Sequence, residues 1–239
     1  MTSRRLYRWL GGLSALGLVA LAVAVFVNSD AGSVRFTEME DNLTGLAFPL
    51  IMMGWVIGAS AIGAEWPHRT VSALLTWEPR RPRVLTAKFV AACVYAGFFS
   101  LFLQAWFTLV MLPVVSSRGT FAGVDSAWWT DYLAVGLRVT LVAVAAAAIG
   151  FGLAAIGKNT GAALGGGLAY LLVVENLVRA YKPEWEDWLL GSNMGRVVEG
   201  QAGIGLGAHS TAGAAFVLLV YAAGLFLLAL WFFRRREMA

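Results

Sequence analysis

The 239-residue chain carries one cysteine and two histidines, and charged residues make up only 13% of it. The single thiol, Cys93, lies in an apolar run, which excludes an intrachain disulfide and a thiolate metal site. His68 and His209 fall in connections expected on opposite membrane faces, so they cannot share a metal. No Ser/His/Asp set or paired carboxylates appears, which removes the common hydrolase constellations. Also missing is any polar stretch long enough for a soluble domain.

What remains is apolar. With 59% hydrophobic residues and a mean hydropathy of +0.71, the composition is not that of a soluble globular chain. A helix needs ~20 residues to cross ~30 Å of hydrocarbon. Six runs qualify, over 10–27, 43–64, 89–115, 132–156, 161–178 and 211–233. The expected fold class is an all-α integral membrane protein of six spans, with the bundle as its single domain over 1–239.

The net charge of +4 is a topology signal. The tails and two connections carry Arg4, Arg5, Arg8, Arg69, Arg80, Arg81, Arg83, Lys88, Lys158 and Arg234–Arg236. The other connections are acidic, with Glu38, Glu40, Asp41, Asp125, Glu184, Glu186 and Asp187 among them. That asymmetry is the positive-inside pattern and predicts that both termini are cytoplasmic. It gives no patch for nucleic acid. Ser3-Arg4-Arg5 resembles a twin-arginine export signal, but the run that follows is long enough to span and no small-x-small cleavage site follows it, so a retained first span is expected. Few Lys among many Arg, with abundant Ala and Gly, suggest a GC-rich bacterial genome.

Within the bundle, Pro49 and Gly54 predict a kink in span 2, and span 3 is expected to end near Pro113. Residues 181–190 place Trp185, Trp188 and Leu189 on one helical face, predicting a short outer interfacial helix with the two indoles as belt anchors or an outer gate. The six glycines of 191–209 predict a mobile segment. Gly161, Gly165, Gly166 and Gly167 set small residues on span 5 for close packing, within the monomer or as a dimer seam.

The stretch Gly152 to Thr160 nearly spells a phosphate-binding loop, but Asn159 follows Lys158 where Ser or Thr would hold magnesium, and a membrane helix feeds it. Nucleotide binding is therefore not expected there. Arg138 and Glu175 are the ionisable residues most clearly inside spans, where charge is costly and usually paired. Arg138 lies six residues, ~9 Å, below the outer start of span 4. Glu175 lies fourteen residues, ~21 Å, above the inner start of span 5, leaving ~9 Å to the outer edge. Equal depth on neighbouring antiparallel spans predicts an Arg138–Glu175 pair, either a structural clamp or part of a pathway.

The connection 65–88 holds five of the eighteen Lys and Arg residues. Pro67 suits a helix first turn, Val71, Leu74 and Leu75 recur at helical spacing, and Pro79 and Pro82 end the pattern. This predicts a short cytoplasmic helix over 67–77. Gly63-Ala64-Glu65, Arg69-Thr70, Leu74-Leu75-Thr76, Pro79, Arg81 and Leu85-Thr86-Ala87-Lys88 resemble the corresponding loop of ABC type-2 permeases. The likeness extends to the Arg-Trp head, the six spans, the outer helix before span 6 and the basic tail. It departs at Pro67 and His68, where a Gly-rich approach is the pattern, and in a shorter head.

The resemblance implies a permease subunit of an ABC exporter in the bacterial inner membrane. In that family a coupling helix docks on a separate ATPase subunit, which here would place Arg69, Thr70, Val71, Leu74 and Leu75 at the contact and Glu65 at the cytoplasmic mouth. Two ATPase subunits would bind ATP and Mg, a second permease chain, identical or not, would complete the pathway, and this chain would be no enzyme and hold no cofactor itself. Apolar walls without an acidic or basic relay point to an amphipathic or lipid-like substrate such as a drug, a peptide antibiotic or a glycolipid. The alternatives are an ion-coupled secondary transporter, which predicts midplane acids and repeats, and an intramembrane enzyme, which predicts a polar catalytic set.

Overall fold

Hydrocarbon offers no water to backbone N–H and C=O groups, so apolar runs of this length satisfy themselves as helices. The computed structural model describes residues 2–30, 32–66, 81–200 and 210–235, and all but short connections among these are helical. Spans 1 to 4 are α1 (Thr2–Asn28), α2 (Met39–Gly63), α3 (Arg81–Arg118) and α4 (Ser126–Gly157). Span 5 is α5, Thr160–Tyr181, with a π-turn at Tyr170–Val174. A 3-10 turn at Pro183–Trp188 leads to α6 (Leu190–Glu199), and α7 (Thr211–Arg235) is the last span. The expected coupling helix over 67–77 lies outside the described residues.

α4 is the centre of the bundle: 72% of its apolar window is buried, against 6% for α1. Its Ala- and Gly-rich stretch allows that, because without a hydrophobic force between helices in lipid, close backbone approach is what binds them. A Cβ at Gly54 or Gly58 of α2 would run into the carbonyl oxygens of Ala143 and Ala147, and one at Gly150 would lie 2.6 Å from the Trp55 carbonyl. Gly54 is thus a packing residue as well as a neighbour of Pro49. The glycines of span 5 contribute less than expected: Gly165 and Gly166 face open space, and only Gly167 lies against the Trp55 indole.

α7 closes on α4 through Phe89, whose ring lies 4.2 Å from Phe226 and 5.5 Å from Phe151. α1 leans on α3, where the Trp106 Nε1–H donates to the Ala15 carbonyl at 3.3 Å. Pro113 does not end span 3; α3 continues to Arg118, and Ser117 Oγ donates back to the Pro113 carbonyl at 2.7 Å. One missing donor leaves the remaining ladder able to carry the helix past it.

At one end of the bundle two connections clasp each other. β1 (Val34–Arg35) pairs in parallel with β2 (Gly119–Thr120), Val34 opposite Gly119. Arg118 donates to the Ser29 carbonyl at 2.9 Å and lies 4.5 Å over the Phe26 ring. Beneath the clasp Phe36, 2% exposed, packs among Phe121, Trp128 and Trp129. Trp128 is therefore a buried member of an aromatic core and its indole donates to the Thr37 carbonyl at 3.2 Å; Trp129 is the more exposed of the pair.

Candidate functional site

The end opposite the clasp gathers the residues that flank 67–80. α2 ends at Gly63, and Glu65, two residues on, forms an ion pair with Lys88 of α3. This pair ties together the two ends of the basic connection. Trp66 lies beside it, with the Lys158 ammonium 4.8 Å over its ring and Phe233 of α7 at 6.3 Å edge-on. Lys158 occupies the turn between α4 and α5 in a left-handed conformation (φ 53), and the Asn159 side chain caps α5 by accepting from the Gly161 N–H at 2.7 Å. Five spans thus meet around Glu65 and Trp66. Arg69, Thr70, Val71, Leu74 and Leu75 lie outside the described residues.

At the clasp end a cavity of about 440 Å³ opens between α2, α5 and α6. Its wall is apolar, with Ala47, Phe48, Ile51, Met52 and Met194, and its rim polar, with Asn176, Arg179 and Glu199. Glu175 is 1% exposed here. Its carboxylate accepts from the Gly191 N–H at 2.7 Å, at the N-terminal turn of α6, and lies 3.6 Å from the Arg179 guanidinium. Helix N-termini carry unpaired N–H groups and a partial positive charge, which a carboxylate complements. Arg179 also donates to Ser192 Oγ at 2.9 Å, and Arg196 pairs with Asp187 at 2.6 Å.

The expected Arg138–Glu175 pair is not formed. Arg138 instead packs its guanidinium against Gly200, filling the place a Cβ would occupy at the left-handed C-cap of α6. Two features account for the difference. The π-turn inserts one residue ahead of Glu175, turning it ~100° about the helix axis relative to a regular α-helix. And α6 lies against both spans, giving each charge a helix end as its nearest complement.

Two further expectations change. Residues 181–190 do not form one interfacial helix: Pro183–Trp188 is a 3-10 turn bearing exposed Trp185 and Trp188, and the Trp188 carbonyl accepts from the Tyr221 hydroxyl at 2.9 Å. The amphipathic helix follows it, inside the segment expected to be mobile. α6 buries Leu190, Met194, Val197 and Val198, a helical stripe legible at i, i+4, i+7 and i+8 that the neighbouring glycines masked.

Also missed was a polar row inside the bundle. Ser100, Gln104 and Thr108 recur every fourth residue along α3, and Gln104 Nε2 donates to Ser100 Oγ at 3.0 Å and to Thr140 Oγ1 of α4 at 2.9 Å. The spacing was the available signal. Among the described residues no group of three His, Cys, Asp or Glu side chains could hold a metal ion.

The surface of the bundle carries large apolar side chains such as Phe98, Leu133, Phe216 and Leu219, each more than 60% exposed. In water such a surface would aggregate; around six helices long enough to cross a membrane it is a lipid-facing surface. The fold defines a multi-pass, all-helical membrane protein. The chain belongs to the DUF2705 family, described as a protein of unknown function, whose model matches residues 17–239. No curated protein matches it.

Proposed function

We propose that this chain is the transmembrane permease subunit of an ATP-driven exporter of the ABC type-2 kind, working as a dimer with two separate ATPase subunits. The clasp end faces outward, both termini and the 65–88 connection face the cytoplasm, and the membrane is the bacterial inner membrane. The substrate is amphipathic or lipid-like. Neither nucleotide chemistry nor a catalytic set belongs to this chain; ATP and Mg are held by the partners.

The observation that carries this reading is the Glu65–Lys88 ion pair. A connection pushed by a partner transmits force only if its two ends move as one body. The pair closes that base, and the Lys158–Trp66–Phe233 contacts join it to the α4–α5 turn and to α7. From α2 a displacement passes directly to the central α4 through the Gly54 and Gly58 seam. Rigid elements with two packed arrangements carry such switches. The residues quoted above for the likeness to ABC type-2 permeases supply the partner's identity in this reading.

Co-purification tests it. The full chain, expressed with candidate ATPase subunits, is expected to retain one of them through size exclusion. Leu74→Asp combined with Leu75→Asp is expected to release it while the permease remains folded. A transporter fully active without any ATPase would refute the assignment.

A further inference from the structure

A second cavity, of about 540 Å³, lies on the flank of the bundle between α3 and α4. Its walls include Leu101, Leu109, Leu133 and Leu137, each at least half exposed on the lipid-facing surface, so it opens sideways into the bilayer. It runs along α3 from Leu101 to Leu112, eleven residues or ~16 Å, which makes it a slot and not a round chamber. Its volume falls in the ~300–1,000 Å³ range of small-molecule sites.

The floor of this slot is polar. Gln104 is 6% exposed, and both hydrogen bonds of its side chain leave from Nε2, to Ser100 and Thr140. Its Oε1 receives none among the described residues and lies 2.8 Å from where a Cβ at Gly136, another floor residue, would sit. Higher in the slot the Thr108 hydroxyl donates to the Gln104 carbonyl at 2.9 Å, so in its contact with Tyr132 the phenol is the donor and the phenolic oxygen keeps its acceptor capacity. Thr140 lies eight residues, ~12 Å, below the outer start of span 4 at 132, which places the Gln104 amide well inside the hydrocarbon. There an amide acceptor without a donor is unfavourable, and acyl chains supply no donor.

We propose that this slot binds a single-chain lipid alcohol taken laterally from the bilayer, its hydroxyl on Gln104 Oε1 and its chain along the leucines of α3 and α4. The hydroxyl supplies the donor that the amide lacks, and an extended chain fits a slot of this length. The site is independent of the exporter reading, since it rests on the α3–α4 pair and on no partner.

Photolabelling of the full-length protein in nanodiscs tests this. The probe is a long-chain primary alcohol bearing a diazirine, compared with its methyl ether, which keeps the chain but lacks the donor. The alcohol is expected to label 101–112 and 133–137, about fivefold above the ether, as loss of one hydrogen bond implies. Gln104→Leu is expected to remove the difference between the two probes. Ala105→Phe, which fills the slot from an exposed position, is expected to reduce both to background. Equal labelling of the native protein by alcohol and ether, or labelling of 101–112 undiminished in Ala105→Phe, would overturn the proposal. Should Gln104→Leu fail to fold, the ether comparison and Ala105→Phe still decide it.

Discussion

Arg138 and Glu175 sit at opposite ends of one short helix. Glu175 accepts from the Gly191 N–H in the first turn of α6, and Arg138 packs against Gly200 at its C-cap. α6 has ten residues, or ~15 Å, between them. Each charge thus meets the helix end of opposite partial charge, so the two intramembrane ionisable groups are joined through the dipole of α6 and not through each other.

A double-mutant cycle distinguishes these arrangements. Glu175→Gln and Arg138→Gln, measured by thermal unfolding in detergent, are each expected to destabilise, Glu175→Gln by about 1–2 kcal/mol because the amide keeps an acceptor for the Gly191 N–H but loses the charge that complements the α6 N-terminus and Arg179. Their coupling energy is expected below ~0.5 kcal/mol, since groups this far apart act additively. A coupling above 1 kcal/mol would indicate a direct ion pair.

The glycine seam predicts a sharp positional contrast. Gly58→Ala places a methyl group into the Ala147 carbonyl, and α2 and α4 must separate to admit it. A loss of about 1–3 kcal/mol is expected, read as a lower unfolding midpoint. Gly165→Ala, which meets nothing within 4 Å, is expected to be neutral or slightly stabilising through helix propensity. Equal effects at the two positions would argue against the seam.

The Glu65–Lys88 pair predicts rescue by exchange. Lys88→Glu or Glu65→Lys alone sets like charges together at the base of the 65–88 connection, and on the permease reading proposed above each is expected to lower export and ATPase retention. The double exchange is expected to restore both. The stability change itself is small, about 1 kcal/mol, because the pair is partly exposed.

Beneath the clasp, Phe36→Ala removes a ring packed among three other aromatic rings. The expected cost is about 3–4 kcal/mol, with a shift in tryptophan fluorescence as Trp128 becomes hydrated. Phe48→Ala, on an exposed surface position, is the matched control and is expected to change little.

Cysteine labelling checks the orientation. In a Cys93→Ser background, a cysteine at Ser33 is expected to react with an impermeant maleimide from outside the cell. A cysteine at Asn159 is expected to react only after permeabilisation.

What the sequence determined by itself was the one-dimensional part: six spans, from run length and hydropathy, and an uneven charge distribution between connections. Both follow from chain-local physics, because a residue's cost in hydrocarbon depends mainly on its own chemistry and its place along the run. Even α6 was legible, in Leu190, Met194, Val197 and Val198, and so was the polar row of Ser100, Gln104 and Thr108. Depth was readable too, since it needs only a rise per residue. Azimuth was not. The π-turn before Glu175, the insertion of α6 against α4 and α5, and the meeting of Glu65 with Lys88 depend on which helix faces touch, and that is settled by shape. Gly54 reads as part of a kink with Pro49 until Ala143 lies against it, and Gly58 carries no signal until Ala147 does. Tertiary structure alone decided the partners of each charge, because in lipid all apolar faces are alike in transfer energy and only close packing distinguishes them.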